Sequence, residues 1–119
     1  MEEYKVLFHI SEQENWPKTL RNIENFFKDV DEKTAQVEVV ANASAVGAYF
    51  TDSNNAENQI LLNQMLALAN RGVQFVACRN ALAAQGLDEK LLPSFVQGVS
   101  GGITEIVFRQ NQGYVYIKP

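Results

Sequence analysis

The sequence predicts an α/β protein in which strands and helices alternate around one mostly parallel sheet of about five strands. Short runs of β-branched and aromatic residues alternate with longer segments whose apolar residues recur at helical spacing. This order favours parallel strands joined by right-handed crossovers, with helices on both faces of the sheet. A chain of 119 residues suits one domain, so we expect residues 1–119 to form a single domain.

The first strand and the first helix are predicted near the start of the chain. Residues 4–10 form a short β-branched and aromatic run, which is typical of a strand. Asn15 is a candidate N-cap for the helix that follows, and Pro17 stands in its first turn, where the missing N–H costs nothing. The apolar residues of this helix recur with the spacing of a single helix face: Trp16, Leu20, Ile23, Phe27 and Val30.

A stretch of different composition separates the second strand from the second helix. Residues 37–41 predict a strand, and the small residues of 42–51 indicate a short helix or a ligand-facing loop. Residues 52–55 have the composition of a turn or a helix cap. A helix pattern then covers 56–71 and ends at Gly72. Its apolar residues spread over more than one face, so we expect something besides its own sheet to cover part of it.

The second half of the chain predicts three more strands. Residues 73–78 form the third strand, 79–85 a short helix and 95–99 a weaker strand. The three-four spacing of apolar residues in 103–108 favours a helix, and 113–118 predict the last strand. In the alternative, residues 103–108 are themselves a strand and pair with the last strand as an antiparallel hairpin.

Composition and charge exclude several classes of function. The chain has 14 acidic and 10 basic residues, a formal net charge of −4, and it lacks a basic cluster, so nucleic acid is not an expected partner. One cysteine allows no internal disulfide, which fits a reducing compartment. No run approaches about 18 apolar residues and the start is acidic, so we expect a cytoplasmic protein without membrane contact. Without a phosphate loop, dinucleotide fingerprint or metal-ligand cluster, neither a cofactor nor a metal is predicted.

Cys78 is the main candidate for chemistry. Ligands and reactive groups of parallel sheets gather beyond the carboxyl ends of the strands, and the sole cysteine stands at such an end. The N-terminus of the helix that follows and the positive charge of Arg79 would both favour the thiolate. In the alternative, Cys78 is a small apolar core residue without a chemical role.

Four further residues at strand ends or in loops are candidate binding or supporting residues: His9, Asn42, Asn80 and Gly101. The imidazole of His9 is either a proton shuttle or ligand-orienting group, or a hydrogen-bonded structural group. Gly101 lies in a Ser-Gly-Gly sequence that either holds an anion on backbone N–H groups or forms an ordinary tight turn. No serine lies in a G-x-S-x-G elbow, so a hydrolase triad is not predicted.

Four segments together resemble the DsrE/DsrF-like sulfur-relay family. They are Phe8-His9-Ile10, Val39-Val40-Ala41-Asn42, the segment from Val73 to Asn80, and the ending from Gln112 to Pro119. The resemblance implies a three-layer α/β/α fold with a five-stranded parallel sheet and assembly into homotrimers or homohexamers. Better understood members of the family carry sulfur as a cysteine persulfide, and Cys78 matches the family's strand-end cysteine.

Two functional hypotheses follow. In the first, the protein is a small cytosolic sulfur carrier or sulfurtransferase, in which Cys78 takes sulfane sulfur from a donor protein and passes it to an acceptor protein. Arg79, the helix N-terminus and His9 would then stabilise the thiolate. In the second, it is a homo-oligomeric ligand-binding or accessory protein without catalytic activity, and Cys78 is passive. The reactivity of Cys78 distinguishes the two.

Overall fold

Strands and helices alternate along the chain in the computed structural model, which describes residues 3–50 and 55–119. The strands are β1 (Tyr4–Ile10), β2 (Ala35–Ala41), β3 (Gln74–Cys78), β4 (Val96–Val99) and β5 (Val115–Ile117). The α-helices are α1 (Trp16–Asp29), α2 (Ala56–Asn70), α3 (Arg79–Ala84) and α4 (Gly102–Asn111). Each predicted strand is present, and the bounds differ from the sequence-based ones by at most a few residues.

The strands form one five-stranded sheet in the order β4-β3-β2-β1-β5, and all neighbours are parallel. Because β5 pairs with β1 while β4 lies at the opposite edge, α4 connects the two edges of the sheet. The predicted α/β fold with a five-stranded parallel sheet is confirmed. Residues 103–108 are helical, so the alternative of an antiparallel hairpin is wrong.

One face of the sheet carries the larger part of the core. Its inward-facing side chains include Val6, Phe8 and Val39, which pack with buried residues of α1 and α2. The Trp16 ring is fully buried against Tyr49, with ring centroids 5.3 Å apart, and its indole N–H donates to the Ala45 carbonyl at 2.9 Å. This bond fastens the 310-helical segment Ala43–Tyr49, in the region predicted as a short helix or a loop, to the start of α1.

The opposite face is covered by α4. Leu7, Val40 and Val76 point towards this helix and form a smaller buried cluster with Ile106 and Tyr114. Helices therefore lie on both faces, as the alternation of elements predicts. Among the helices of the described segments, none is long and apolar enough to cross a membrane.

The helix ends agree in part with the predicted caps. Asn15 occupies the N-cap of α1, but its side chain makes no capping hydrogen bond, and its carbonyl instead accepts from the Thr19 hydroxyl at 2.8 Å. Asn55 caps α2 with its side chain, which accepts from the Asn58 N–H at 3.0 Å. Of the turn or cap predicted over 52–55, residues 52–54 lie outside the described residues.

Several apolar side chains of the helices and of the edge strand face outward. On α2, Leu62 is buried whereas Ile60 is exposed, which agrees with the wide apolar surface expected of this helix. The outer side of α4 exposes Ile103, Val107 and Phe108, with relative exposures of 63%, 59% and 59%.

Candidate functional site at the carboxyl end of the sheet

A pocket of about 350 Å3 lies where β2 and β3 end and α4 begins. Its walls include Asn42, which follows β2, and Cys78, the last residue of β3. Asn80 of α3, and Gly101 and Gly102 at the start of α4, also line it. The parallel topology brings these ends together, because neighbouring parallel strands finish at the same edge of the sheet.

The Cys78 side chain borders this pocket and is otherwise buried, with a relative exposure of 6%. Its backbone occupies the N-cap position of α3, because the strand conformation ends there and the helix starts at the next residue. Gly102 lies close to the Cys78 side chain. A methyl group on Gly102 would lie 3.5 Å from Cβ of Cys78 and 3.1 Å from Cβ of Asn42, so only glycine leaves this part of the pocket open.

The first turn of α4 supplies backbone donors to the same pocket. Gly101 is the N-cap, and the first hydrogen bond of the helix runs from the Glu105 N–H to the Gly101 carbonyl at 3.0 Å. The N–H groups of residues 102–104 therefore precede the first intrahelical hydrogen bond and lie at the positive end of the helix dipole. An anion such as a thiolate is favoured in this position.

A hydrogen-bonded network stands behind Asn42. The Nε2 atom of His9 lies 3.0 Å from Asn42 Oδ1, and its Nδ1 atom lies 2.7 Å from the Tyr116 hydroxyl. The Ser11 hydroxyl donates to Asn42 Oδ1 at 2.8 Å, and Lys118 Nζ donates to Ser11 Oγ at 2.8 Å. Through Asn42, the pocket is thus joined to the ends of β1 and β5.

His9 is neutral in this network at pH 7. Burial lowers its pKa from the ordinary value of 6.5, and the positive charge of Lys118 also lowers it. The hydrogen bond to Asn42 acts in the opposite direction, with an effect smaller than that of burial and larger than that of Lys118. A neutral imidazole has one N–H donor and one acceptor nitrogen. One of its two hydrogen-bond partners must therefore accept from the ring, and the other must donate to it.

The predicted site residues divide into three groups. Cys78, Asn42, Asn80 and Gly101 meet at the pocket. His9 lies one hydrogen bond behind Asn42. Arg79 is next to Cys78 in the chain, but its exposed guanidinium binds both carboxylate oxygens of Glu89, at 2.8 and 3.1 Å, and it is not among the residues that line the pocket.

Tyr116 and Lys118 were not recognised as part of the site from the sequence. Both stand in or next to the last strand, where a tyrosine and a lysine are ordinary surface residues. Their contact with His9 and Ser11 depends on the pairing of β5 with β1, in which Tyr116 is opposite Leu7. The sequence does not indicate which strand β5 pairs with, so no local signal identifies these two residues.

Glu38 is a second group that sequence reasoning missed. It is fully buried in the central part of β2, and Arg109 Nε on α4 donates to Glu38 Oε1 and to Glu105 Oε2, both at 3.1 Å. The other oxygen, Glu38 Oε2, has no hydrogen-bond partner within residues 3–50 and 55–119. Burial and, after it, the neighbouring Glu105 raise the pKa of Glu38 from 4.5 to about 8, against the opposing effect of Arg109. Its only sequence signal is an acidic residue inside an apolar run.

A larger depression, of about 560 Å3, lies between the starts of α1 and α2. Its walls include Gln13, Pro17, Asn58 and Leu61, and its described lining contains no thiol or imidazole. Volume alone therefore does not identify the chemical site. Within the described parts of the chain, no group of three or more His, Cys, Asp or Glu side chains is placed to hold a metal ion.

Comparison with known proteins agrees with this architecture. The chain is similar over 98% of its length to MTH1491 of Methanobacterium thermoautotrophicum, a protein of unknown function, with 34% sequence identity, a TM-score of 0.84 and all of that chain covered. It is also similar in fold to the YchN protein of E. coli, at 12% identity and a TM-score of 0.71, covering 98% of this chain and 99% of the other. No curated protein matches the sequence.

The family comparison covers the greater part of the chain. Residues 32–119 match the model of the DsrE/DsrF-like family, and this range contains four of the five strands, all of the pocket wall and the cysteine. The chain therefore belongs to the DsrE/DsrF-like family.

Proposed function

We propose that the protein is a sulfur carrier or sulfurtransferase that holds sulfane sulfur as a persulfide on Cys78. The observation that carries this proposal is the placement of the sole thiol of the chain in the wall of a pocket that the first turn of α4 also lines. Family membership suggests a role in sulfur relay and supports the same assignment.

The proposed reaction is a transfer between thiols that needs no external oxidant. The Cys78 thiolate attacks the outer sulfur of a donor persulfide, R–S–SH. The new S–S bond forms as the donor S–S bond breaks, and R–S⁻ leaves with the electron pair. Cys78 then carries –S–SH. In the second half-reaction an acceptor thiolate attacks this outer sulfur, and the Cys78 thiolate is the leaving group.

The pocket residues have distinct parts in the proposed reaction. The N–H groups at the start of α4, beyond Gly101, stabilise the negative charge on the thiolate and on the outer sulfur. The side-chain amides of Asn42 and Asn80 offer neutral hydrogen-bond donors at the same pocket. Arg79 contributes positive charge from outside the pocket, where its exposure and its pairing with Glu89 make the contribution small.

Sulfur transfer requires partners and a compartment in which the thiol stays free. The donor and the acceptor are proposed to be other proteins that present a persulfide and a thiol to the mouth of the pocket. The proposal places the protein in the cytoplasm, because the reducing conditions there keep a lone cysteine from forming disulfides.

Alkylation of the folded protein tests whether the Cys78 sulfur is accessible. The proposal predicts that iodoacetamide labels Cys78 in the native state, since the thiol reaches solvent through the pocket. The mass of the intact protein reports the labelled fraction without ambiguity, because the chain has one cysteine.

Two neighbouring glycines provide matched variants for this experiment. Gly102→Ala should slow labelling, because its methyl group would lie 3.5 Å from Cβ of Cys78 and narrow the pocket. Gly101→Ala should have less effect, since its closest neighbours are the ends of the Asn80 and Thr104 side chains, at 3.4 and 3.5 Å. Labelling of the wild type only after unfolding would contradict the proposal and favour a homo-oligomeric ligand-binding or accessory protein with a passive cysteine.

The protein is also proposed to assemble with itself, as a homotrimer or homohexamer. Support comes from the family and from the exposed apolar side chains of α4, namely Ile103, Val107 and Phe108. Apolar groups clustered on one surface are typical of sites that another protein covers. Sedimentation at micromolar concentration should give a trimer or hexamer, and Phe108→Glu should shift the distribution to smaller species. A monomeric wild type would contradict the proposal.

A further inference from the structure

The network behind Asn42 has a defined donor-acceptor polarity. Ser11 Oγ accepts from Lys118 Nζ at 2.8 Å, donates to Asn42 Oδ1 at 2.8 Å and lies 3.3 Å from His9 Nε2. In this arrangement the Asn42 atom on the network side is the amide oxygen. An oxygen there requires an N–H from His9 Nε2, which lies 3.0 Å away. In the neutral ring Nδ1 is then the acceptor, and the Tyr116 hydroxyl donates to it at 2.7 Å.

The consequence for the pocket concerns the other end of the same amide. With Oδ1 held by His9 and Ser11, the Nδ2 group is the end of Asn42 that faces the start of α4. A methyl group on Gly102, in the pocket wall, would lie 3.6 Å from this nitrogen. The network thus presents two N–H donors, rather than a carbonyl oxygen, to whatever binds beside Cys78.

We propose that Tyr116 and His9 are positioning residues for the Cys78 pocket: the Tyr116 hydroxyl holds neutral His9 in its Nε2–H tautomer, and His9 with Ser11 holds Asn42 so that its Nδ2 group donates to an anionic sulfur bound there. This inference rests on the proposed function for its ligand, the negatively charged outer sulfur of a persulfide. Its account of the tautomer and of the amide orientation is independent of sulfur chemistry. The loss of the Tyr116 hydroxyl would free the ring to adopt the other tautomer and allow the amide to turn its oxygen to the pocket.

Nitrogen-15 NMR of the imidazole tests the first step directly. The chain contains one histidine, so the long-range proton–nitrogen spectrum shows a single ring. The proposal expects the Nε2–H tautomer in the wild type and in Tyr114→Phe, and a mixture of tautomers in Tyr116→Phe. A wild-type ring in the Nδ1–H tautomer, or an unchanged ring in Tyr116→Phe, overturns the proposal whether or not the protein carries sulfur.

The rate of sulfur loading from a small-molecule persulfide donor tests the second step. Tyr116→Phe should load about threefold to tenfold more slowly, the range expected for losing one orienting hydrogen bond. The matched control is Tyr114→Phe, two residues earlier in the chain, whose hydroxyl donates to Gln36 at 3.0 Å, away from the pocket. Its loading rate should be that of the wild type.

A double variant separates positioning from a general effect on the fold. In an Asn42→Ala background, Tyr116→Phe should cause no further decrease in the loading rate, because the hydroxyl acts only through the amide. An equal decrease in both backgrounds, or an equal decrease in Tyr114→Phe, overturns the positioning role. If the wild type itself takes up no sulfur, the proposed function fails, and the NMR measurement still decides the positioning inference.

Discussion

Replacing Glu38 by glutamine should remove a large part of the pH dependence of stability between about pH 5 and pH 8. The pKa of this carboxyl is raised from 4.5 to about 8, first by burial and then by the neighbouring Glu105 carboxylate. Between those two values the folded protein holds a proton that the unfolded chain has released. The free energy of unfolding therefore falls as the pH rises, by up to about 1.4 kcal/mol per pH unit from this one group.

The direction of the effect is fixed by the sign of the pKa shift. The stabilisation is fully present below the unfolded pKa of 4.5 and is lost as the pH rises through the folded value of about 8. Glutamine keeps the shape of the protonated acid and does not titrate, so it should tolerate the buried position best at high pH. The stability difference between Glu38→Gln and the wild type should then move in favour of the variant as the pH increases.

Urea unfolding of both proteins at a series of pH values measures this difference. Glu105→Gln should have a weaker effect in the same direction, because it removes a negative charge that raises the pKa of Glu38. Parallel curves of unfolding free energy against pH for the wild type and Glu38→Gln would contradict the account. They would mean that Glu38 is ionised in the folded protein and that Arg109, at 3.1 Å, compensates its burial.

Cys78→Ser should abolish sulfur loading and leave the fold intact. The hydroxyl of serine does not form a persulfide, so the loss of loading should be complete. The backbone of residue 78 occupies the N-cap of α3, a position in which serine is among the most favourable residues. We therefore expect a thermal unfolding midpoint close to that of the wild type. Sulfur uptake by the serine variant would show that the increment observed in the wild type is not on Cys78.

The fold was predictable because its signals are local and repeated. The apolar spacing from Trp16 to Phe27 specifies a one-sided helix, and runs such as residues 73–78 specify buried strands. The three-four spacing in 103–108 correctly indicated a helix, which excludes the hairpin. In these segments the amphipathic pattern along the chain and the tertiary packing favour the same element, so one sequence suffices to identify it.

The site was only partly predictable, because its contacts cross the sheet. The rule that ligands gather at the carboxyl ends of parallel strands brought Cys78, Asn42 and Gly101 into one group, and the structure places them at one pocket. The hydrogen bond from Tyr116 to His9 spans 107 positions and depends on the strand order, which no local pattern encodes. Proximity in sequence was also misleading for Arg79, whose guanidinium is held by Glu89.

Glu38 shows a different limit of sequence reasoning. An acidic residue between Val37 and Val39 has the appearance of a half-exposed strand position, with alternate residues facing solvent. In the structure α4 covers that face, and Arg109 of this helix offsets part of the cost of burying the carboxyl. Whether a strand face is covered depends on where a later crossover helix lies, and this is a property of the whole fold.

The central claim, that Cys78 carries sulfane sulfur, is tested most directly by mass spectrometry after exposure of the folded protein to a persulfide donor. The account predicts a mass increase of one sulfur atom, located on the peptide that contains Cys78, removed by a thiol reductant and absent in Cys78→Ser. A wild-type protein that is folded, is exposed to excess donor and keeps its original mass would contradict the claim. A sulfur increment found on a peptide that does not include Cys78 would also contradict the claim.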